Sequence, residues 1–201
     1  MVSQDRDAWL LNRGCSHVHQ TCTLFRVTIA QINNVKAAMK TLLIIYHSIT
    51  GGSKAMAHAV AEGAATEAEI STLLLHASEA NAEHVLHADG YVFVTPETLG
   101  SMAGLMKDFF DRTYYAALDQ INGRPYTALV CAGSDGHGAV KQIQRIATGW
   151  RLSEMAAPEI VCTHAQTPED ILATKTINAA DLQRCRDLGA AFAGGLVMGL
   201  F

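Results

Sequence analysis

The residues best suited to chemistry are His47-Ser48-Ile49-Thr50-Gly51-Gly52-Ser53, with Lys54 behind them. Ser48, Thr50 and Ser53 set three hydroxyls around a turn that Gly51 and Gly52 make supple. The apolar run "TLLIIY" leads into it and an Ala-rich helical stretch leads out. A strand-to-helix turn of small residues presents backbone N–H groups at the positive end of a helix, a natural seat for an anion. The spacing is neither G-x-x-x-x-G-K-S/T nor G-x-G-x-x-G, so the turn is not a nucleoside-triphosphate loop or a dinucleotide fingerprint. Hydroxyls without a metal ligand suit a terminal phosphate. The alternative is a plain capped turn with Ser53 as N-cap.

Two further turns join it. In "TPETLGSMAG", Pro96 stiffens the chain and Gly100 allows close backbone approach. In "CAGSDGHG", Gly133, Gly136 and Gly138 form a ledge of backbone. Together the three turns would cradle a flat ring with a phosphate tail.

Alternating elements must position these turns. "KTLLIIY", "AEISTLLL", "DGYVFVTP", "PYTALVCAG" and "PEIVCTH" read as strands, the first as a buried parallel one. Between them lie helical patterns. In "SMAGLMKDFFDRTYY", Met102, Leu105, Met106, Phe109 and Phe110 make one apolar stripe. A last helix starts at Asn178 or Asp181 and takes in the Ala/Gly-rich C-terminal run, which reads as a helix packed closely on the sheet. The pattern predicts an α/β fold, a doubly wound five-stranded parallel sheet of order 2-1-3-4-5. That order brings the three turns together at the carboxyl edge of the sheet.

Composition narrows the function classes. The chain has 201 residues, 49% hydrophobic, which suits one domain with an ample core. A net charge of -4 and 6% aromatic residues argue against nucleic-acid binding. No window approaches the roughly 20 apolar residues of a membrane span, and "MVSQDRDAWLLNRG" lacks a secretory signal. With five cysteines, this points to the cytoplasm. Residues 1–38 lack a clear period and read as an extension or a misassigned start; the domain is expected to begin at Met39. Cys15, His17, His19 and Cys22 fit no familiar zinc spacing, and no metal is expected. Cys131, Cys162 and Cys185 read as packing residues.

From Met39 onward the sequence resembles the flavodoxin-like superfamily, in its NAD(P)H-dependent FMN reductase and quinone reductase branch. "SITGGS" resembles the S/T-x-T-G-x-S/T phosphate loop. "TPETLGSMAGLMKDFFDR" resembles the P-x-x-x-G-x-M-x-x-x-x-K-x-F-x-D-R segment, and "AGSDGHG" the third flavin loop. The resemblance implies FMN with its phosphate on Ser48, Thr50, Gly51, Gly52 and Ser53. It implies the flavin ring against Pro96, Glu97, Thr98, Leu99, Gly100, Ser101 and Met102, and against Ala132, Gly133, Ser134, Asp135 and Gly136. Gly52 stands where Asn is common, and Leu99 where an aromatic is frequent. Each departure removes a contact and points to a dissociable flavin.

The function so implied is electron transfer from NADH or NADPH to a quinone or flavin by a ping-pong hydride mechanism. No Arg cluster is placed to select NADPH by its 2′-phosphate. His137 is the candidate proton donor to a quinone oxygen; the plainer reading is an exposed histidine at a helix start. The resemblance also implies a homodimer or homotetramer, with Tyr114 and Tyr115 near the interface or in the core. The rival functions are a one-electron carrier, which should be more acidic, and a flavin-binding regulatory module.

Overall fold

In a computed structural model, residues 39–201 are described. The extension at 1–38 and the Cys15–Cys22 cluster lie outside the described residues.

Four long parallel strands carry the sheet: β1 (Lys40–Tyr46), β2 (Ile70–His76), β3 (Gly90–Thr98) and β5 (Pro125–Ala132). A short strand β4 (Ser101–Met102) folds back antiparallel on β3. The last position holds two short strands, β6 (Ser153–Glu154) and β7 (Glu159–Cys162), each parallel to β5. The order is β2-β1-β3-β5-β6, with β7 also on β5. Taking β6 and β7 as one position, this is the predicted 2-1-3-4-5 arrangement. The fifth strand is broken at Met155–Pro158, a stretch that still sends bonds to β5: Met155 N–H donates to the Tyr126 carbonyl, and Thr127 Oγ1 to that of Ala156.

The helices are α1 (Gly52–Ala64), α2 (Ala82–His87), α3 (Gly104–Ala117), α4 (His137–Gly149), α5 (Pro168–Leu172) and α6 (Ala179–Met198). One face of the sheet packs on α2, α3 and α4 through Phe93, Phe109, Phe110, Ile143 and Trp150. The other packs on α1 and α6 through Leu42, Ile44, Val60, Val92, Leu129 and Phe192. Strands buried on both faces read as unbroken apolar runs for this reason. α1 and α6 cross with backbones nearly touching. A Cβ at Gly63 would overlap the Arg186 carbonyl, and one at Gly189 the Val60 carbonyl. The C-terminal Ala/Gly run is thus a helix shaped for close packing.

The stripe predicted from Met102 divides. Met106, Phe109 and Phe110 are buried on α3, whereas Met102 is buried from β4 and Leu105 is exposed. The helix begins at Gly104 because Ser101 and Met102 are held in the hairpin. Lys107–Asp111 and Asp108–Arg112 form i,i+4 pairs along the solvent side.

Candidate functional site

The three turns leave the carboxyl ends of β1, β3 and β5, which are neighbours in the sheet. The order of strands reverses between β1 and β3, so the turns sit at the switch point.

The first turn runs from His47 to Ser53. Gly51 is left-handed, at φ 94°, and caps α1. Its N–H donates to Ser48 Oγ at 3.0 Å, which folds the loop on itself. No side chain caps α1 and no acidic residue lies in its first turn. Ser53 is therefore not the N-cap; it lies inside the first turn, 1% exposed, and its Oγ has no hydrogen-bond partner. The Cys131 thiol is beside it, but sulfur is a weak partner, and burial pushes that thiol up so that it stays protonated. An uncapped helix start with an orphaned hydroxyl is chemically suited to a phosphate. Gly52 has a local cause: a Cβ there would come within 2.6 Å of Cys131 Sγ and 3.3 Å of Lys175 Cβ.

The second turn is a hairpin, with Glu97 opposite Met102 and Thr98 opposite Ser101. Leu99 and Gly100 form its tip at φ 53° and 70°. Leu99 is fully exposed in a conformation unfavourable to L-residues. Pro96 still pairs with β5, opposite Cys131, so β3 continues through the proline instead of ending there. Met102 is buried in the core, away from solvent.

The third turn runs from Ala132 to His137. Ala132 is buried, Ser134 and Asp135 are exposed, and Gly136 caps α4 at φ 91°. His137 opens α4, exposed, with Nε2 4.0 Å from Asp135 Oδ1. The second and third turns are joined. Glu97 Oε2 accepts the Gly136 N–H at 2.7 Å, and Oε1 accepts those of Gly138 and Ala139 at 3.1 and 3.4 Å. Gln142 Oε1 accepts from Ser101 Oγ and from the Met102 N–H. Gly138 lies against the Gly100 carbonyl with no room for a Cβ.

A fourth segment belongs to this edge and carried no motif. Residues 163–178, between β7 and α6, form a strap across the first and third turns. Lys175 N–H donates to the Thr50 carbonyl at 2.8 Å, and His164 N–H to that of Gly133 at 2.8 Å. The Lys175 ammonium caps α5 by donating to the Asp170, Ile171 and Ala173 carbonyls. A cavity of about 550 Å³ lies between the strap and β7, lined in part by Thr163, His164, Thr174 and Asn178. Beside the first turn, His47 Nδ1 is 3.1 Å from His76 Nε2, and His76 Nδ1 is 2.7 Å from Ser78 Oγ. Among the described residues no group of three or more His, Cys, Asp or Glu is placed to hold a metal.

Comparison with known proteins agrees with this fold. Residues 74–167 match the family described as NADPH-dependent FMN reductase, a span that takes in the second and third turns. An archaeal flavodoxin superposes at TM-score 0.63 with 18% identity, over 78% of this chain and 99% of its own. A WrbA-like flavodoxin from Agrobacterium tumefaciens superposes at 0.59 with 19% identity, over 79% and 98%. The fold is flavodoxin-like. Among curated relatives, a flavodoxin of Aquifex aeolicus (strain VF5) is 37% identical over 100 residues, 50% of this chain and 54% of the relative. An NAD(P)H dehydrogenase (quinone) of Acidithiobacillus ferrooxidans (strain ATCC 53993 / BNL-5-31) is 33% identical over 95 residues, 37% and 48% respectively. The chain thus spans about half the length of the curated relatives it matches. Among the described residues no helix is long and apolar enough to cross a membrane.

Proposed function

We propose that this flavodoxin-like chain is an FMN-dependent oxidoreductase that passes electrons from NADH or NADPH to a quinone or flavin acceptor. The observation that carries it is the start of α1: left-handed Gly51, no cap, no acidic first-turn residue, and a buried Ser53 hydroxyl without a partner. An anion satisfies all of these together. The phosphate of FMN would be held by Ser48, Thr50 and the backbone of Gly51, Gly52 and Ser53, with the strap closing over it through Thr174 and Lys175. The linked second and third turns would seat the ring on backbone. When bound, FMN supplies hydride acceptance from a nicotinamide and return of the electrons to the acceptor. The protein's tasks are to hold, orient and shield. Leu99, projecting from the hairpin tip, would offer an apolar edge to a flat acceptor, and exposed His137 would offer a proton to its oxygen.

Native mass spectrometry of the purified protein, with NADH and NADPH oxidation assayed against a panel of quinones, tests this reading. FMN release together with quinone-dependent turnover is expected. A protein that neither retains nor takes up FMN would end it.

The similarity to the Aquifex flavodoxin supports a second reading, a one-electron carrier. Anaerobic mixing of the FMN-loaded protein with NAD(P)H separates the two, because a carrier is reduced slowly and a reductase within turnover time. The reading extends to assembly as a homodimer or homotetramer in the cytoplasm. Tyr114 stacks on Trp150 at 5.8 Å inside the fold, while Tyr115 is 84% exposed and free to meet a second subunit. Light scattering of Tyr115→Glu against the parent tests this, with a shift toward monomer expected and unchanged mass counting against it.

A further inference from the structure

Two helices of this chain begin in nearly the same way. α1 and α4 have 13 residues each. Each is capped by a left-handed glycine, Gly51 at φ 94°, ψ -22° and Gly136 at φ 91°, ψ -18°. Neither has a capping side chain of its own or an acidic residue in its first turn. By backbone geometry both starts are anion sites. At α4, however, the site is filled from within. The Glu97 carboxylate, from the second turn, takes three N–H bonds there with both oxygens.

We propose that Glu97 is a positioning residue. Its carboxylate is a built-in anion that fills the second phosphate-like site and locks the hairpin to α4. The second and third turns then act as one rigid ring seat, a role that rests on the flavin reading above. Both oxygens are engaged by α4, so the side chain acts on a bound ring through backbone position rather than by contact. Gln142 and the Gly138–Gly100 approach fasten the same hairpin farther along α4. The lock also reserves α1 as the anion site, because a free phosphate finds the α4 start already occupied. Bonds from N–H groups to a carboxylate are among the strong ones, and removing the acceptor leaves three donors unmet.

The test uses Glu97→Ala in the full chain. Backbone amide exchange and amide chemical shifts are read without flavin, and the dissociation constants of FMN and riboflavin are read separately. The variant should exchange about tenfold faster or more at Gly136, Gly138 and Ala139. Those same amides should shift on adding inorganic phosphate, which leaves them unmoved in the parent. FMN and riboflavin should both bind about tenfold more weakly, with the ratio between them unchanged, because the lesion is at the ring end. Unchanged exchange at the three amides overturns the lock. Faster exchange with both flavin affinities within twofold of the parent overturns the positioning role. A parent that binds neither flavin ends the functional reading, while amide exchange still decides the lock. If Glu97→Ala does not fold, Gln142→Ala releases the same hairpin at its other fastening. Faster exchange at the three amides and weaker binding of both flavins, at smaller amplitude, are then expected, and their absence overturns the proposal.

Discussion

The starts of α1 and α4 have almost the same backbone and opposite fates. α4 receives a carboxylate from the chain itself, whereas α1 keeps a buried serine hydroxyl unmatched. The same local geometry therefore makes a structural joint at α4 and, at α1, the start proposed to hold the FMN phosphate. What separates them is a residue 39 positions away, Glu97 against Gly136. Loop conformation alone says that an anion fits; long-range packing says whose anion it is.

The largest expected effect comes from making the two starts alike. Gly51→Asp places a carboxylate at α1 as Glu97 does at α4. FMN affinity should fall by about a hundredfold or more through repulsion and lost N–H contacts. Riboflavin, which lacks the phosphate, should lose far less. Fluorescence-quench titration measures both, and equal losses would break the assignment of the phosphate end.

Alanine at each capping glycine sharpens the comparison. Both substitutions force an L-residue into the left-handed region, at about 1–2 kcal/mol. At Gly51 the new Cβ meets Thr174 Cγ2 at an ordinary 3.7 Å. At Gly136 it comes within 2.6 Å of Ile160 Cγ2, so overpacking adds about 1–3 kcal/mol. Chemical denaturation should show Gly136→Ala clearly less stable than Gly51→Ala. Reversal of that order would mean that the third turn relaxes freely.

A smaller effect belongs to the α1 side. Burial, and then the nearby His76, hold His47 below its ordinary 6.5. The unfolded chain therefore binds the proton more readily. This contribution is fully present above about pH 6.5 and is lost as pH falls from there through the folded value, with a slope of at most about 1.4 kcal/mol per pH unit. His47→Asn should flatten that part of the stability profile, and a profile as steep as the parent's would assign it to another group. The smallest effect is at the other tip. Leu99→Gly relieves the left-handed strain at a side chain that packs on nothing, and the loss of unfolded-state restriction offsets part of the gain. A net gain on the order of 0.5 kcal/mol is expected in a melt, and a loss would show that Leu99 has a packing partner.

The fold was legible because its signals are local. Apolar runs of strand length alternate with helical stripes, and the strap and the broken fifth strand merely decorate that frame. The first turn was legible as a strand-to-helix turn for the same reason: Ser48, Thr50 and Gly51 lie within one loop. The ring end was only half legible. Leu99-Gly100 makes a two-residue hairpin turn without the Asn-Gly or Asp-Gly that would announce it. Glu97 reads as a ring contact until the fold brings α4 to it. Lys175 and Thr174 carry no motif, because their partner is a turn more than 120 residues earlier, reached only after the last strand is in place. Gly52, which departs from the common loop pattern, is explained by Cys131 and Lys175 filling the space of a side chain, a fact of packing and not of the motif.

The close crossing of α1 and α6 has a consequence for biosynthesis. Phe192, Ala193 and Leu196 of α6 cover one face of the sheet, and they leave the ribosome after every strand has been made. Until then Leu42, Ile44, Val92, Val94 and Leu129 lack that cover, and such a surface attracts chaperones or like chains. The strap emerges just ahead of α6, so a nascent chain shows its first turn open. Closure of the strap over the first turn and final burial of the core should therefore come together, as α6 docks.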